Sequence, residues 1–340
     1  MQELNTGVVI IGAGPIGLEM AVALKQAGVD YLHFDAKQIG YTISWFAPQT
    51  RFFSSNERIA IAGIPLITAD QMKATREEYL AYLRRVVIQY DLHVNTYEPI
   101  TSIERTADGS FTLQTGKGRT VRCQRLILAT GGTDHPRRLN IPGESLPHVD
   151  HYFKDPHDYF RKRVLIIGGK NSAVESALRC YHAGAQVALS YRRGMLPEKS
   201  IKYWLWPEIN GLIEAGRIEA HFNSVPIAIT PTHVTLKQQD RDVTVQADFV
   251  LSLIGYEQDT TLFKKAGLQL EGSCQMPRFD PQTMETTIPN LYVAGTCVGG
   301  TQDKYQVFIE NCHVHVGRIT AAILGRRIET RDVEFAQPES

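Results

Sequence analysis

Three glycines spaced Gly12-x-Gly14-x-x-Gly17 stand directly behind the apolar run Val8–Ile11. That spacing suits the approach of a backbone to a pyrophosphate. Gly12 makes a tight turn, Gly14 admits the phosphates, and Gly17 lets a helix come close to its strand. Pro15 and Ile16 complete the loop, and the first amides of the following helix face the anion. Asp35 ends the strand YLHFD, where an acid would hold a ribose hydroxyl. A second loop, Gly168-Gly169-Lys170-Asn171-Ser172-Ala173, follows the run VLII and opens another helix. Alanine at its third position is compatible with a dinucleotide. Lys170 replaces the middle glycine, so its side chain either clashes with a dinucleotide or meets its phosphate. The next strand, QVALSY, ends in Arg192 and Arg193 with no acid, which suits the 2′-phosphate of NADP. Lys199 is a further candidate there.

These residues require strands and helices to hold them. In the first opening Leu18, Ala21, Leu24 and Lys25 fit a helix with one apolar face, closed by Gly28. SFTLQTGKGRTVRCQRLILATGG then reads as a hairpin of alternating residues followed by a buried parallel strand ending in glycines. THVTLKQQDRDVTVQADFVLSLIGY, 232–256, repeats that pattern after the second opening. IPNLYVAGTCVGG, 288–300, is one more strand into glycines, and Tyr305 to about Leu324 predicts a helix. This last part returns to complete the first domain. The predicted fold is α/β: two Rossmann-like dinucleotide-binding domains of three-layer ββα type, the second inserted in the first. The boundaries predicted are 1–154 plus 271–328 for one domain and 155–270 for the other, with a polar tail over 329–340.

The 340 residues suffice for two medium domains. Lys plus Arg and Asp plus Glu both total 36, so no general attraction to nucleic acid or anionic membrane is predicted. The start lacks a basic leader and cleavage site, and no apolar run has membrane-spanning length. The five cysteines are scattered without a CxxC, which points to free thiols and a cytoplasmic setting.

One nicotinamide site alone would suggest a dehydrogenase. Two dinucleotide sites in one chain allow NADPH to deliver hydride to a bound flavin. Here the chain resembles the two-dinucleotide-domain flavoproteins related to thioredoxin reductase. The resemblance rests on the opening at Gly12–Gly17, ATGG at 129–132, IPGE at 141–144, GGKNSAVESA at 168–177, YRR at 191–193, and VAGT with the final helix. It is strongest to the bacillithiol disulfide reductase-like subgroup, through GGKNS, FFSSNE at 52–57, HYFKD at 151–155, METTIPNLYVAG at 284–295 and VFIEN at 307–311. The resemblance implies FAD in the first domain, NADPH in the inserted one, and a homodimer. It makes Thr130, Gly131, Gly295 and Thr296 FAD-side residues. It also turns WFAPQTRFFSSNE toward the flavin, with Gln49, Thr50, Ser54 and Ser55 as candidate contacts, and places Gln306 at the ring. In the helix predicted to follow Gly299-Gly300-Thr301, Gln302 and Asp303 would fall in the first turn, whose amides would stabilise reduced flavin.

Three departures bear on the electron acceptor. Where thioredoxin reductases carry a CxxC, this chain reads LPHVDHYF. Ile16 stands where the subgroup typically has a glycine-loop cysteine. Thr296 stands where many relatives have Asp. Among the remaining candidates, Cys297 is the thiol in the flavin-side loop, with a helix N-terminus expected to lower its pKa. His151 and Tyr152 are candidate proton donors to an acceptor. His148, His151 and His157 lack metal-ligand spacing, so no metal is predicted. His313 and His315 read as packing or surface residues, and Trp204 and Trp206 suggest a subunit contact. The leading reading is electron flow from NADPH through FAD to a small-molecule acceptor, a low-molecular-weight disulfide such as bacillithiol disulfide. Electron transfer to a small protein in the manner of ferredoxin–NADP reductase, a flavin monooxygenase and a non-enzymatic flavin sensor stay open as alternatives.

Overall fold

The computed structural model describes residues 3–239, 241–302 and 306–326. The polar tail, Asp303 and the expected helix start at Tyr305 lie outside these. The chain divides into two compact units: residues 1–44, 54–135 and 257–339 in one, and 45–53 with 136–256 in the other.

In the first unit β1 (Glu3–Ile11), α1 (Pro15–Gln26) and β2 (Tyr31–Phe34) form the opening βαβ. α2 (Arg76–Gln89), β3 (Ile100–Arg105), β4 (Phe111–Thr115) and β5 (Thr120–Leu128) follow. The sheet order is β2-β1-β5-β4-β3. β5 does two jobs along its length. Its first half pairs antiparallel with β4, and its second half, Leu126–Leu128, pairs parallel with a late strand, Leu291–Val293. One strand therefore serves both the hairpin and the buried parallel strand read from the sequence. Val8, Val9 and Ile10 are fully buried, as a strand covered on both faces requires. α2 starts cleanly because Thr75 and Glu78 form a reciprocal capping box.

The second unit contains β6 (Val149–Asp150), β7 (Arg163–Ile167), α3 (Asn171–His182), β8 (Gln186–Tyr191), α4 (Trp206–Glu214), β9 (Glu219–Phe222), β10 (Ser224–Ile229), β11 (His233–Gln238), β12 (Arg241–Gln246) and β13 (Phe249–Ser252). Its parallel sheet runs β9-β8-β7-β13-β6, and β10-β11-β12 form a separate antiparallel sheet. Alternation along β7 builds the layers. Val164 and Ile166 enter a core shared with Val174, Ala177 and Leu178 of α3. Leu165 and Ile167 enter another with Ile229, Val234 and Leu236 of the antiparallel sheet. Truncating Leu165, which is fully buried, to alanine would cost about 2–5 kcal/mol. These layers match the ββα architecture expected.

The chain crosses between units at 135/136 and 256/257, not at 155 and 270. The cause is local pairing. Asp134 N–H donates to Glu257 O within the first unit, and Arg137 N–H to Gly255 O within the second. β6 then pairs with β13 in the second sheet. The fragment 45–53 belongs to the second unit for a similar reason, since Phe53 stacks on Trp204 at 5.9 Å.

The late strand, β14 (Leu291–Val293), returns to the first unit, and the terminal helix, α5 (His313–Ile323), begins well after the predicted start. Before it, Gln306 and Val307 are held by one side chain. Gln302 Oε1 accepts the Gln306 and Val307 N–H groups at 2.8 and 2.9 Å, and its Nε2 donates to Val307 O. A short 3₁₀ turn at Ile309–Asn311 then leads into α5.

Candidate functional site

The first-unit site is built from glycines that touch other backbone. A Cβ on Gly12 would lie 2.3 Å from Ala129 O, one on Gly132 would lie 2.8 Å from Thr296 O, and one on Gly17 would lie 1.9 Å from Gly12 O. The loops 12–17, 129–132 and 294–297 are thus pressed together by residues without side chains. Gly295, at φ +79°, would bring a Cβ within 3.4 Å of the Ile16 side chain, which is buried. Gly14 differs. A Cβ there meets nothing within 4 Å, and its φ of −75° is open to any residue. Its absent side chain leaves a space beside the uncapped start of α1, with Pro15 in the first turn. That is the seat a pyrophosphate requires.

Asp35 is held rather than free. Its Oδ2 accepts Ala13 N–H at 2.6 Å and its Oδ1 accepts Lys37 N–H at 2.7 Å. Burial raises its pKa, and those two amides oppose the rise. A carboxylate offers about four acceptor positions, so two remain for a ribose. His33, fully buried, was not singled out from the sequence. Its Nε2 donates to Gly12 O at 2.8 Å, and burial pushes its pKa down to about 4, so it is a neutral ring with the proton on Nε2. Thr130, Gly131 and Thr296 are half-buried along the same loops, and Gln306 is exposed. Ser54 and Ser55 belong to this unit, whereas Gln49 and Thr50 belong to the other.

Two further groups escaped sequence reading. Gln258 is buried and reaches Gly131 O and Cys297 O with its side-chain amide. His315, read as packing or surface, is buried, and its Nδ1 accepts Gly295 N–H at 3.1 Å. Its pKa falls to about 4 through burial, then through the Arg318 and His313 charges. His313 has the opposite state. Its Nδ1 faces Glu19 Oε2 at 2.7 Å and its Nε2 faces Arg58 O at 2.9 Å. Both partners are acceptors, so both nitrogens carry protons. Burial alone would lower its pKa, but the Glu19 carboxylate overcomes that and raises it.

The expectation for Cys297 requires correction. Cys297 is poorly suited to attack: it is fully buried, its thiol donates to Ala294 O at 3.0 Å, and burial pushes its pKa up to about 12. It sits in a 3₁₀ turn, Gly295–Gly299, and not at the start of a long helix. Cys274 is the cysteine that is not buried.

In the second unit, Gly168 and Gly169 meet backbone and ring respectively: a Cβ on Gly168 would lie 2.4 Å from Leu253 O, and one on Gly169 2.5 Å from the Tyr191 ring. Lys170 is exposed at the start of α3, at φ −107°, so lysine fits there without strain. Ala173 is fully buried, giving the close helix–strand packing. Ser172 is exposed, and Asn171 Oδ1 accepts Lys202 N–H at 2.6 Å. Arg192 and Arg193 are exposed directly after β8, and Lys199 is exposed in a 3₁₀ turn, Glu198–Ser200. Lys202, not Lys199, is the lysine built into this unit. It is buried, with Nζ 2.7 Å from Glu175 Oε2 and 2.9 Å from Arg51 O. Uncapped helix start, glycine cradle and exposed arginines fit a phosphorylated nicotinamide dinucleotide.

His151 and Tyr152 also require revision. His151 is buried, Arg138 donates to its Nε2, and its pKa is lowered by burial and then by the Arg138 charge. Both effects disfavour the protonated ring that a proton donor needs. Tyr152 packs in an aromatic group with Trp45 at 4.9 Å and Tyr256 at 6.0 Å. Trp204 and Trp206 are half-buried, Trp206 packing against the core of this unit. Among the described residues, no three or more of His, Cys, Asp and Glu gather as metal ligands. No described helix is long and apolar enough to cross a membrane.

Comparison with known proteins agrees with this geometry. Residues 9–295 match the family model described as pyridine nucleotide-disulphide oxidoreductase. The chain is 36% identical over 319 residues to bacilliredoxin reductase Bdr of Bacillus subtilis (strain 168), covering 94% of this chain and 97% of that one. The structure of bacillithiol disulfide reductase Bdr (YpdA) from Staphylococcus aureus superposes with a TM-score of 0.89 at 35% identity, covering 96% and 99% of the two chains. That of the Bacillus cereus protein gives 0.89 at 33% identity, covering 94% and 99%. This chain, with a glycine-rich strand–helix loop in each of its two units, belongs to the pyridine nucleotide-disulphide oxidoreductase family and is an FAD- and NADPH-dependent oxidoreductase.

Proposed function

We propose that the chain reduces a low-molecular-weight disulfide, with bacillithiol disulfide the leading candidate, at the expense of NADPH. The balance is one NADPH, one proton and one disulfide giving NADP⁺ and two thiols. FAD, when bound, would supply the two-electron link between nicotinamide and disulfide. The open space at Gly14, beside two loops pressed together by Gly12 and Gly132, carries the reading.

The residues have separate tasks. Gly12, Gly14, Pro15, Ile16 and Gly17 hold the FAD pyrophosphate against the start of α1, and Asp35 takes the ribose. Thr130, Gly131, Gly295 and Thr296 line the flavin half. Gly168, Gly169, Ser172 and Ala173 seat the NADPH pyrophosphate at the start of α3, with Lys170 as an added cation. Arg192, Arg193 and Lys199 meet the 2′-phosphate. Ile16 has no thiol, Cys297 is held as a buried donor, and so no cysteine beside the glycine loops forms a mixed disulfide. The acceptor disulfide is reduced at the cofactor itself. We place the enzyme in the cytoplasm as a homodimer, in a reducing compartment that suits free thiols.

Anaerobic stopped-flow tests this. Protein reduced with NADPH is mixed with bacillithiol disulfide, other small disulfides, quinones and ferredoxin, and flavin absorbance is followed. Reoxidation by bacillithiol disulfide above the oxygen-free blank supports the reading. Reoxidation by ferredoxin or quinone alone replaces it with electron transfer.

A further inference from the structure

Gln258 is the second residue after the chain returns to the first unit, and it is only 6% exposed. Its backbone N–H donates to Thr301 Oγ1 at 3.0 Å. Its side-chain Nε2 donates to Gly131 O at 3.3 Å and to Cys297 O at 3.0 Å. One residue thereby ties together three segments: the end of β5, the turn after β14, and the glycine stretch at 299–301. Because both Nε2 partners are carbonyls, the amide cannot be flipped, and the direction of Oε1 is fixed. That oxygen is buried with no hydrogen-bond partner among the described residues.

Buried amide oxygens are rarely left without a donor. The position of this one says what the donor belongs to. The sheet order β2-β1-β5, with β14 on the far side of β5, spreads the strand ends in a row. Asp35 and the glycine loop hold the adenosine and pyrophosphate at the β2 and β1 ends. Gly131 and Cys297 follow β5 and β14, at the opposite end of the same row. A dinucleotide laid across the strand ends therefore brings its flavin half to Gln258. We propose that Gln258 is a positioning residue of the flavin seat, its Oε1 accepting an N–H or O–H of the flavin half of FAD while its Nε2 fixes the two loops beneath. This rests on the FAD assignment of the first unit.

The test uses apoprotein titrated with FAD, followed by flavin fluorescence, together with melting of apo and loaded protein. Gln258→Met keeps the volume and removes both functions. We expect FAD affinity to fall 10- to 100-fold, the visible flavin band to shift, and the melting point of the loaded protein to drop more than that of the apoprotein. FAD affinity within twofold of wild type overturns the proposal, and so does an equal drop in both melting points, which marks Gln258 as structural only. Should Gln258→Met fail to fold, Thr301→Val removes the backbone anchor alone. It is expected to weaken FAD several-fold, and unchanged affinity overturns the proposal. Wild-type apoprotein that takes up no FAD instead refutes the cofactor assignment.

Discussion

Gly14 and Gly17 are three residues apart, yet the structure assigns them opposite kinds of necessity, and two alanine substitutions separate these. At Gly14 a Cβ meets nothing within 4 Å, and the backbone lies at φ −75° and ψ −176°. Alanine there stiffens the unfolded chain, which stabilises by about 0.4–1 kcal/mol, and is a poorer N-cap than glycine by a similar amount. The apoprotein should therefore melt within about 1 kcal/mol of wild type. Its cofactor binding should not survive so well. The methyl fills the space through which phosphate oxygens reach the first amides of α1. Each charge-assisted hydrogen bond lost costs about 1.5–3 kcal/mol, or roughly 10- to 150-fold in FAD affinity. At Gly17 the Cβ would lie 1.9 Å from Gly12 O and 2.9 Å from Gly12 C. Those are backbone atoms, and Gly12 O is also held by His33. The clash is with backbone and not with a flexible side chain, so Gly17→Ala should cost about 3 kcal/mol, the upper end of the overpacking range, even without FAD. The assay is thermal melting of both apoproteins followed by FAD titration. Gly14→Ala that binds FAD as wild type does, or that melts as low as Gly17→Ala, would refute the assignment of the open space to the cofactor.

Other outcomes follow from the same geometry. Replacing Arg192 and Arg193 together by alanine should weaken NADPH by about tenfold or more and leave NADH within about twofold; equal losses, read from flavin reduction rates, remove the basis for NADP preference. Cys297→Ala should retain NADPH-dependent turnover within about threefold, and a loss above a hundredfold with FAD still bound would restore a catalytic thiol. The histidines of α5 predict opposed pH effects in apoprotein melting. For His313 the folded pKa is raised, so its contribution is complete below the usual 6.5 and is lost as pH rises through the folded value. His313→Gln should remove that alkaline-side loss. For His315 the folded pKa is depressed from 6.5 to about 4, so its contribution holds above 6.5 and fades as pH falls toward 4, by up to about 3 kcal/mol. A melting profile flat between pH 4 and 9 would contradict both assignments.

What could be read from the chain, and what could not, divides by the range of the physics involved. Gly12 and Gly17 were legible because their constraint is local: a strand, a turn and a helix five residues on. The same holds for the alternating strands of 232–256. The late start of α5 was not, because the Gln302 side chain binds the backbone of Gln306 and Val307, and no periodicity encodes such bonds. The crossings at 135/136 and 256/257 were hidden because they are set by long-range backbone pairs, Asp134 with Glu257 and Arg137 with Gly255, which no local pattern encodes. The stacking of Phe53 on Trp204 was equally hidden, because the two stand about 150 residues apart in the chain. Gln258 and His33 carry no motif at all. Their partners stand 127 and 39 residues away in the first case and 21 in the second, and only the folded sheet brings them together. Lys170 and Gly14 show the limit most sharply. They occupy the same place in two similar openings, both with backbone angles any residue adopts, so neither is there for conformation. Glycine in the first opening keeps space clear; lysine in the second gives up that space and adds a charge. On the proposed assignment of these loops, the second dinucleotide is expected to hold its phosphates further from the backbone than the first, within reach of a long cation and the exposed arginines.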